Sequence, residues 1–244
     1  MSVFTLIERS RMHKLWKKLP KELRNSVHRI LHRINSSGIL LRVFSFRHQL
    51  SVIKISSLKS PVRICIGESR VLDGWLSTNY QILAKNFLDA TKYYGSECCE
   101  NIFADNVIEH LDRESGALLV ARAYDALSPG GILRITTPDL KSIATKYLEG
   151  LPEDVVQIAE DLTEHNLDIR TPSDLLRITY AAFGHHKGMI YDFDSLKLLL
   201  ESAGFSHVTK FAPGLSATPT LANLESRVGK SDAWSQMAVE ATKP

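Results

Sequence analysis

The stretch Asn101-Ile102-Phe103-Ala104-Asp105-Asn106, answered further on by Leu127-Ser128-Pro129-Gly130-Gly131-Ile132-Leu133-Arg134-Ile135-Thr136, decides the fold. The first segment is an apolar run that ends at two short polar residues, as a buried parallel strand does where it opens onto a cleft. Apolar residues then recur at helical spacing over 117–127. Ser128, Pro129, Gly130 and Gly131 interrupt that pattern, and a second strand is expected from Ile132. Strand, helix, turn and strand make one βαβ unit. Outward from it, Val62-Arg63-Ile64-Cys65-Ile66 reads as another buried strand ending at Gly67. On the other side, residues 193–202 read as a helix ended by Gly204, and residues 206–211 and 234–242 as two closing strands. A long Pro/Gly/Ser-rich link, residues 212–230, joins these two. The alternation of short strands with helices predicts an α/β domain with a parallel sheet covered by helices. Only nine residues separate Ile66 from Leu76, too few for a crossover helix.

At 244 residues the chain is long enough for one such domain and an appendage. Its 44% hydrophobic and 23% charged residues exclude wholesale disorder. No stretch reaches the roughly 18 apolar residues of a spanning helix, the best candidate at 38–44 being broken by Arg42. Three cysteines, Cys65, Cys98 and Cys99, form neither a CxxC pair nor an even framework, which favours a reducing cytoplasmic setting and disfavours structural zinc.

The net charge of +3 conceals a division. Residues 1–60 hold 13 Lys and Arg against Glu8 and Glu22, a net of +11, whereas residues 61–244 carry −8. The boundary between a basic arm, 1–60, and a domain, 61–244, is drawn there. Within the arm, 19–34 reads as a helix with Pro20 in its first turn. Leu19, Leu23, Val27, Ile30, Leu31 and Ile34 share a face of about 120°, and Lys17, Lys18, Lys21, Arg24, His28, Arg29, His32 and Arg33 occupy the opposite one. Such a helix suits an anionic membrane surface through residues 1–35, or it docks its apolar stripe on the domain behind it. Nucleic acid ranks below these, because the arm lacks interleaved aromatics.

Ligands of open α/β sheets bind beyond the C-terminal ends of the strands. After the strand at 62–66 the turn carries Glu68, whose carboxylate would oppose a pyrophosphate by about 1–4 kcal/mol at 4 Å. That disfavours NAD and ATP and suits a ligand bearing an ammonium and a sulfonium. The segments Ile64-Cys65-Ile66-Gly67-Glu68-Ser69, Gly74-Trp75-Leu76-Ser77-Thr78-Asn79, Val107-Ile108-Glu109-His110-Leu111, Leu127-Ser128-Pro129-Gly130-Gly131, Pro138-Asp139-Leu140, Ile190-Tyr191-Asp192 and Leu199-Leu200-Glu201-Ser202-Ala203-Gly204-Phe205 together resemble the class I S-adenosylmethionine-dependent methyltransferases. They look most like the branch found beside polysaccharide and glycosyltransferase genes. The resemblance covers residues 61–244. It implies a Rossmann-like seven-stranded sheet with a reversed C-terminal β-hairpin, and S-adenosylmethionine as cofactor. Gly67, Glu68 and Ser69 match the turn under the methionine part, Asn79 the end of the second strand that grips the ribose, and Asp89 and Ala90 the adenine-reading turn after the third strand. Asp105, at the end of the next apolar run, joins this cofactor-binding set. Two residues depart from the pattern. Ser69 stands where the turn usually has its second glycine, and Asn79 where an acid is usual.

Methyl transfer from a sulfonium disperses charge, so the protein chiefly aligns two ligands and excludes water. A base is needed where the acceptor is a hydroxyl or a protonated amine. The candidates are His110, at the mouth of the strand before it, and His185 and His186. Against these stand a packing role for His110 and an exposed loop for the pair. No metal site is expected, because adjacent His185 and His186 point apart and only Asp192 accompanies them. Residues 151–183 form a helical lid over the acceptor in this reading, with Asp168, Arg170 and Arg177 as polar contacts. The expected function is an S-adenosylmethionine-dependent methyltransferase of a small-molecule or glycan acceptor, such as a cell-surface polymer precursor. It would act in the cytoplasm or at the inner membrane face. A catalytically silent module of the same fold, used for binding or assembly, is the alternative.

Overall fold

A computed structural model describes residues 62–66, 72, 74–78, 97, 99–150, 171–181, 185–229 and 232–244. The arm 1–60, the residues Gly67, Glu68, Ser69, Asn79, Asp89 and Ala90, the expected third strand, and Asp168 and Arg170 of the expected lid lie outside them.

Six strands form one sheet: β1 (Val62–Ile66), β2 (Leu76–Thr78), β3 (Cys99–Asp105), β4 (Leu127–Pro138), β5 (Ser206–Phe211) and β6 (Gln236–Thr242). Their order is β2-β1-β3-β4-β6-β5. β1 pairs parallel with β2 and β3, and β3 with β4, while β6 runs antiparallel between β4 and β5. The described residues thus hold six strands rather than seven, and the closing antiparallel pair is no tight hairpin, since residues 212–235 lie between its strands. Four α-helices are described: α1 (Arg113–Ala126), α2 (Leu140–Glu149), α3 (Pro172–Ala181) and α4 (Phe193–Ser202). α1 starts on Asp112, whose carboxylate accepts from the Ser115 amide at 2.8 Å. Asp192 closes a capping box with Ser195 at the start of α4. That duty occupies Asp192 and removes it from the metal set weighed with His185 and His186.

Two expected boundaries differ. β4 begins at Leu127, not Ile132, because Ser128–Gly131 is absorbed as a bulge: Leu127 pairs with Cys99 and Ile132 already with Asn101. Glycine is required inside the bulge, where a Cβ on Gly131 would meet the Ser128 and Glu100 carbonyl oxygens at 2.8 and 2.9 Å. The last strand begins at Gln236 rather than Trp234, which belongs to a 3-10 turn, Ala233–Ser235.

Strand alternation gives the sheet two buried faces. Ile64, Ile66, Ile102, Leu133, Ile135 and Val239 point to the face covered by α1 and α4 through Leu119, Val120, Leu196 and Leu200. Cys65 and Phe103 point to the other, where Leu221 and Leu224 of the β5–β6 connection cover them. Trp75 adds an edge-to-face contact with Phe103 at 6.3 Å. This second face also buries a full charge. Arg134, 0% exposed, is ion-paired with Glu225 of the connection and Glu240 of β6, and donates to the Leu215 carbonyl at 3.0 Å. Glu225 in turn accepts the Gly214 amide at 2.9 Å.

Removing one member of such a cluster leaves buried charge uncompensated. Arg134→Met is expected to cost about 3–5 kcal/mol, read from urea denaturation. Replacing Glu225 and Glu240 by apolar residues in the same background is expected to recover part of the loss; an Arg134→Met variant as stable as the parent would refute the account.

Candidate functional site

β3 and β4 end side by side, Asp105 opposite Thr136. Beyond that edge the chain must turn sharply, and Asn106 adopts a left-handed conformation (φ 51°) that Asn tolerates better than most residues. Its amide donates to the Thr136 carbonyl at 2.9 Å. The reversal drives Val107 and Ile108 into the core, and the 3-10 turn Ile108–His110 then buries Glu109 and leaves His110 half-buried. A second segment is laid across this turn. The Met189 amide donates to the Leu111 carbonyl at 3.0 Å, and Gly188 packs so closely that a Cβ there would stand 1.8 Å from the Glu109 carbonyl oxygen. Glycine is thus obligatory at 188, and His185, three residues earlier, is carried onto His110 with ring centroids 4.7 Å apart.

The result is a cavity of about 250 Å³ at the C-terminal ends of β3 and β4. One wall is Glu109, His110 and His185; a second is apolar, from Pro138, Ile143, Leu175 and Ile178. The third comes from the β5–β6 connection and the start of β6: Arg227, Asp232, Trp234 and Gln236. On that third wall Asp232 is ion-paired with Arg227 through one oxygen. Its other oxygen, Trp234 Nε1 and Gln236 Oε1 are buried with no hydrogen-bond partner among the described residues. Buried polar atoms are ordinarily satisfied, so these three give the wall the capacity to hydrogen-bond a molecule in the cavity.

Burial sets the protonation of the first wall. It pushes the Glu109 carboxyl up to about 8, against the lowering effect of hydrogen bonds to its own backbone amide and to Thr137, whose hydroxyl donates to Glu109 Oε2 at 3.2 Å. Burial, with repulsion from His185 added, pushes His110 down to about 4. His185 is also lowered by burial, partly offset by a 2.8 Å bond between Nδ1 and the Thr179 carbonyl. A carbonyl only accepts, so Nδ1 carries the proton and Nε2 keeps a lone pair. At neutral pH the wall offers two neutral imidazoles and a protonated carboxyl. The imidazoles can take a proton, and ligand atoms of Glu109, His110 and His185 lie within 4.8 Å of one another, the spacing of a metal-binding group.

The structure therefore brings His110 and His185 together and separates His186, which is exposed and does not line the cavity. Adjacent residues in a 3-10 turn point about 120° apart, and Gly188 fixes which of the two faces inward. His186 is withdrawn as a catalytic candidate. Asp105 is buried on the opposite side of β3 from Ala104, where it accepts the Ser226 amide at 3.2 Å and the Asn106 side-chain amide at 3.3 Å. Arg177 is paired with Asp174 at 3.3 Å on the exposed side of α3, away from the cavity. Sequence reasoning places Glu109 and Thr137 at the strand ends without giving either a role, and it passes over Arg227, Asp232, Trp234 and Gln236. Glu109 stood in plain view beside His110, and its burial follows from the 3-10 turn. The third wall has no local signal, because it arrives by way of a long connection.

No known family model and no curated protein matches the sequence. Among solved structures, the chain is similar to a SAM-dependent methyltransferase from Archaeoglobus fulgidus, at 13% identity over 83% of this chain and 94% of that one, with a TM-score of 0.44. It is also similar to a possible histamine N-methyltransferase from Thermotoga maritima (14% identity, 87% and 96% of the two chains, TM-score 0.41). A third is an O-methyltransferase family protein from Burkholderia thailandensis (12% identity, 91% and 62%, TM-score 0.41).

The raised Glu109 carboxyl makes a signed prediction. From about pH 7.5 to 9 the folded protein keeps a proton on Glu109 that the unfolded chain has released, while His110 and His185 are neutral in the folded state and nearly so in the unfolded one, whose histidines titrate near 6.5. Stability must fall as pH rises through this window, by on the order of 1 kcal/mol. Urea denaturation at pH 7.5 and 9, in a chelating buffer that keeps adventitious cations out, is expected to show that fall in the parent and a smaller one in Glu109→Gln. Gly188→Ala is expected to cost about 3 kcal/mol in the same assay, the upper end for overpacking.

Proposed function

We propose that this chain is an S-adenosylmethionine-dependent methyltransferase whose acceptor occupies the cavity between Glu109, His110, His185 and Trp234. The observation that carries the proposal is the sheet order, with one reversed strand, β6, set between β4 and β5, together with a cavity at the C-terminal ends of β3 and β4. The motifs quoted over residues 61–244 support the same assignment.

The residues at this edge fit such a cofactor. Ile66 and Ala104 end opposite one another, and the charged group following them on β3 is a carboxylate, Asp105, which faces a sulfonium or ammonium without conflict. Gly67, Glu68 and Ser69 would hold the methionine part, Asn79 the ribose, and Asp89 and Ala90 the adenine. When bound, the cofactor supplies an activated methyl group. The chain itself excludes water with Ile143, Leu175 and Ile178, orients the acceptor through Trp234 Nε1, Gln236 Oε1 and Asp232, and receives the acceptor's proton on His110 or His185. By resemblance the acceptor is a small molecule or the terminal unit of a glycan or surface-polymer precursor. The basic arm, through residues 1–35, would bring the domain to an anionic membrane surface on the cytoplasmic side.

A second reading, a silent module of this fold, is favoured by Ser69, by Asn79 and by the Ser226 amide already seated on Asp105. Calorimetric titration with S-adenosylhomocysteine separates the two. Saturable binding, weakened at least about tenfold by Asp105→Ala, is expected of the enzyme; absence of binding at millimolar ligand would assign the silent module. Once an acceptor is in hand, His110→Ala is expected to lower turnover about 10²–10⁴-fold while leaving S-adenosylhomocysteine affinity unchanged.

A further inference from the structure

Glu109, His110 and His185 converge from two segments that are adjacent in space and far apart in sequence. Their ligand atoms fall within 4.8 Å of one another at one end of the cavity. We propose that these three side chains bind a divalent transition-metal ion, with its remaining coordination positions open to the cavity. The proposal does not rest on methyl transfer and goes beyond it.

The chemistry of the donor set selects the ion. Two imidazoles and a carboxylate suit the manganese-to-zinc series, and a site with three protein ligands leaves room for water or for a ligand heteroatom. The supporting contacts are those a metal site requires. Metal-bound histidines commonly donate their second ring N–H to a carbonyl or carboxylate, which fixes the tautomer and aims the other nitrogen. His185 does this through Nδ1 to the Thr179 carbonyl at 2.8 Å, which makes Nε2 the ring atom that would ligate the cation. The Glu109 carboxylate is steered by the Thr137 hydroxyl at 3.2 Å. Gly188 locks the His185 segment onto the backbone of Glu109, so the two segments cannot slide apart without breaking a contact that tolerates no side chain.

Charge and access agree. Glu109 is 1% exposed and Arg227 is the cation of the described residues that acts on it, so an ion that displaces the Glu109 proton would supply the charge a buried carboxylate needs. The opposite wall presents Trp234 Nε1, Gln236 Oε1 and one Asp232 oxygen without partners among the described residues. A molecule spanning the cavity would reach them while one of its oxygen or nitrogen atoms enters an open coordination position. Coordination of that kind would lower the pKa of a bound hydroxyl.

Cobalt(II) tests the site directly on the metal-stripped full-length chain. Titration is expected to give visible d–d absorption saturating at one equivalent, displaced by zinc. Glu109→Ala and His185→Ala are expected to abolish the signal. Thr137→Val, which removes only the hydroxyl steering Glu109, is expected to weaken binding about tenfold. His186→Ala, on the exposed neighbour, is expected to leave it unchanged. Circular dichroism establishes that each variant is folded, and if His185→Ala is not, Thr137→Val against His186→Ala decides. No saturable absorption at millimolar cobalt, or a signal equal in Glu109→Ala or lost in His186→Ala, overturns the proposal. Titration with S-adenosylhomocysteine in EDTA reports on the methyltransferase assignment separately, so either can fail alone.

Discussion

The guanidinium of Arg134 is the constraint on which the rest of this molecule depends. It sits in the middle of β4, fully removed from water, and its partners come from two places that local sequence does not link: Glu240 on β6 and Glu225 in the long connection before it. A buried arginine is tolerable only where its donors are met. Meeting them sets the register of β6, in which Glu240 lies opposite Arg134, and ties the connection to the sheet face over Cys65 and Phe103. Residues 225, 226 and 227 then divide three tasks between them. Glu225 pairs with Arg134, the Ser226 amide caps Asp105 at the end of β3, and Arg227 reaches the cavity to hold Asp232.

The cavity is therefore built from two unlike halves. The half around Glu109 is local to the end of β3 and is shaped by backbone: the left-handed Asn106, the 3-10 turn after it, and the glycine at 188 that allows a second chain segment to lie on top. The half around Trp234 is remote, delivered by the Arg134 cluster. Burial acts on the two in opposite ways. In the first it raises a carboxyl and lowers two imidazoles, so three groups that would be charged or mixed in water become neutral together. In the second it leaves polar atoms without partners, which a core would not retain. Hydrogen-bonding demand is thus concentrated on one side of the space and proton- or metal-accepting capacity on the other.

Much of this architecture was legible from local pattern, and what escaped did so for physical reasons. β1, β5 and α4 stand where the sequence pattern puts them, because a continuously apolar buried strand and a helix with one apolar stripe advertise themselves, and the half-exposed β5 follows directly on the glycine that ends that helix. The Pro-Gly-Gly segment was recognisable as an interruption, but whether it ends one element or is absorbed into the next depends on pairing with Cys99 and Asn101 across the sheet, which no local rule contains. His110 and His185 could be named as candidates by residue type. Their meeting could not, since it rests on Gly188 touching a carbonyl some eighty positions earlier. His186 was drawn in by adjacency alone. Trp234 read as strand because its neighbours are strand-like, yet three residues of 3-10 turn place its indole nitrogen on the cavity.

Arg134 also explains why the connection can be both long and ordered. A loop of this length loses conformational entropy on folding in proportion to its residues, while Leu221 and Leu224 bury only a modest apolar area. A buried ion pair adds little net stability against an apolar alternative, but it discriminates strongly between arrangements, because any placement of the connection that misses Glu225 strands a charge. The connection is thereby held in one position rather than merely held down. Since Arg227, Asp232, Trp234 and Gln236 follow within eleven residues of Glu225, specificity purchased in the core is passed directly to the wall that faces the ligand.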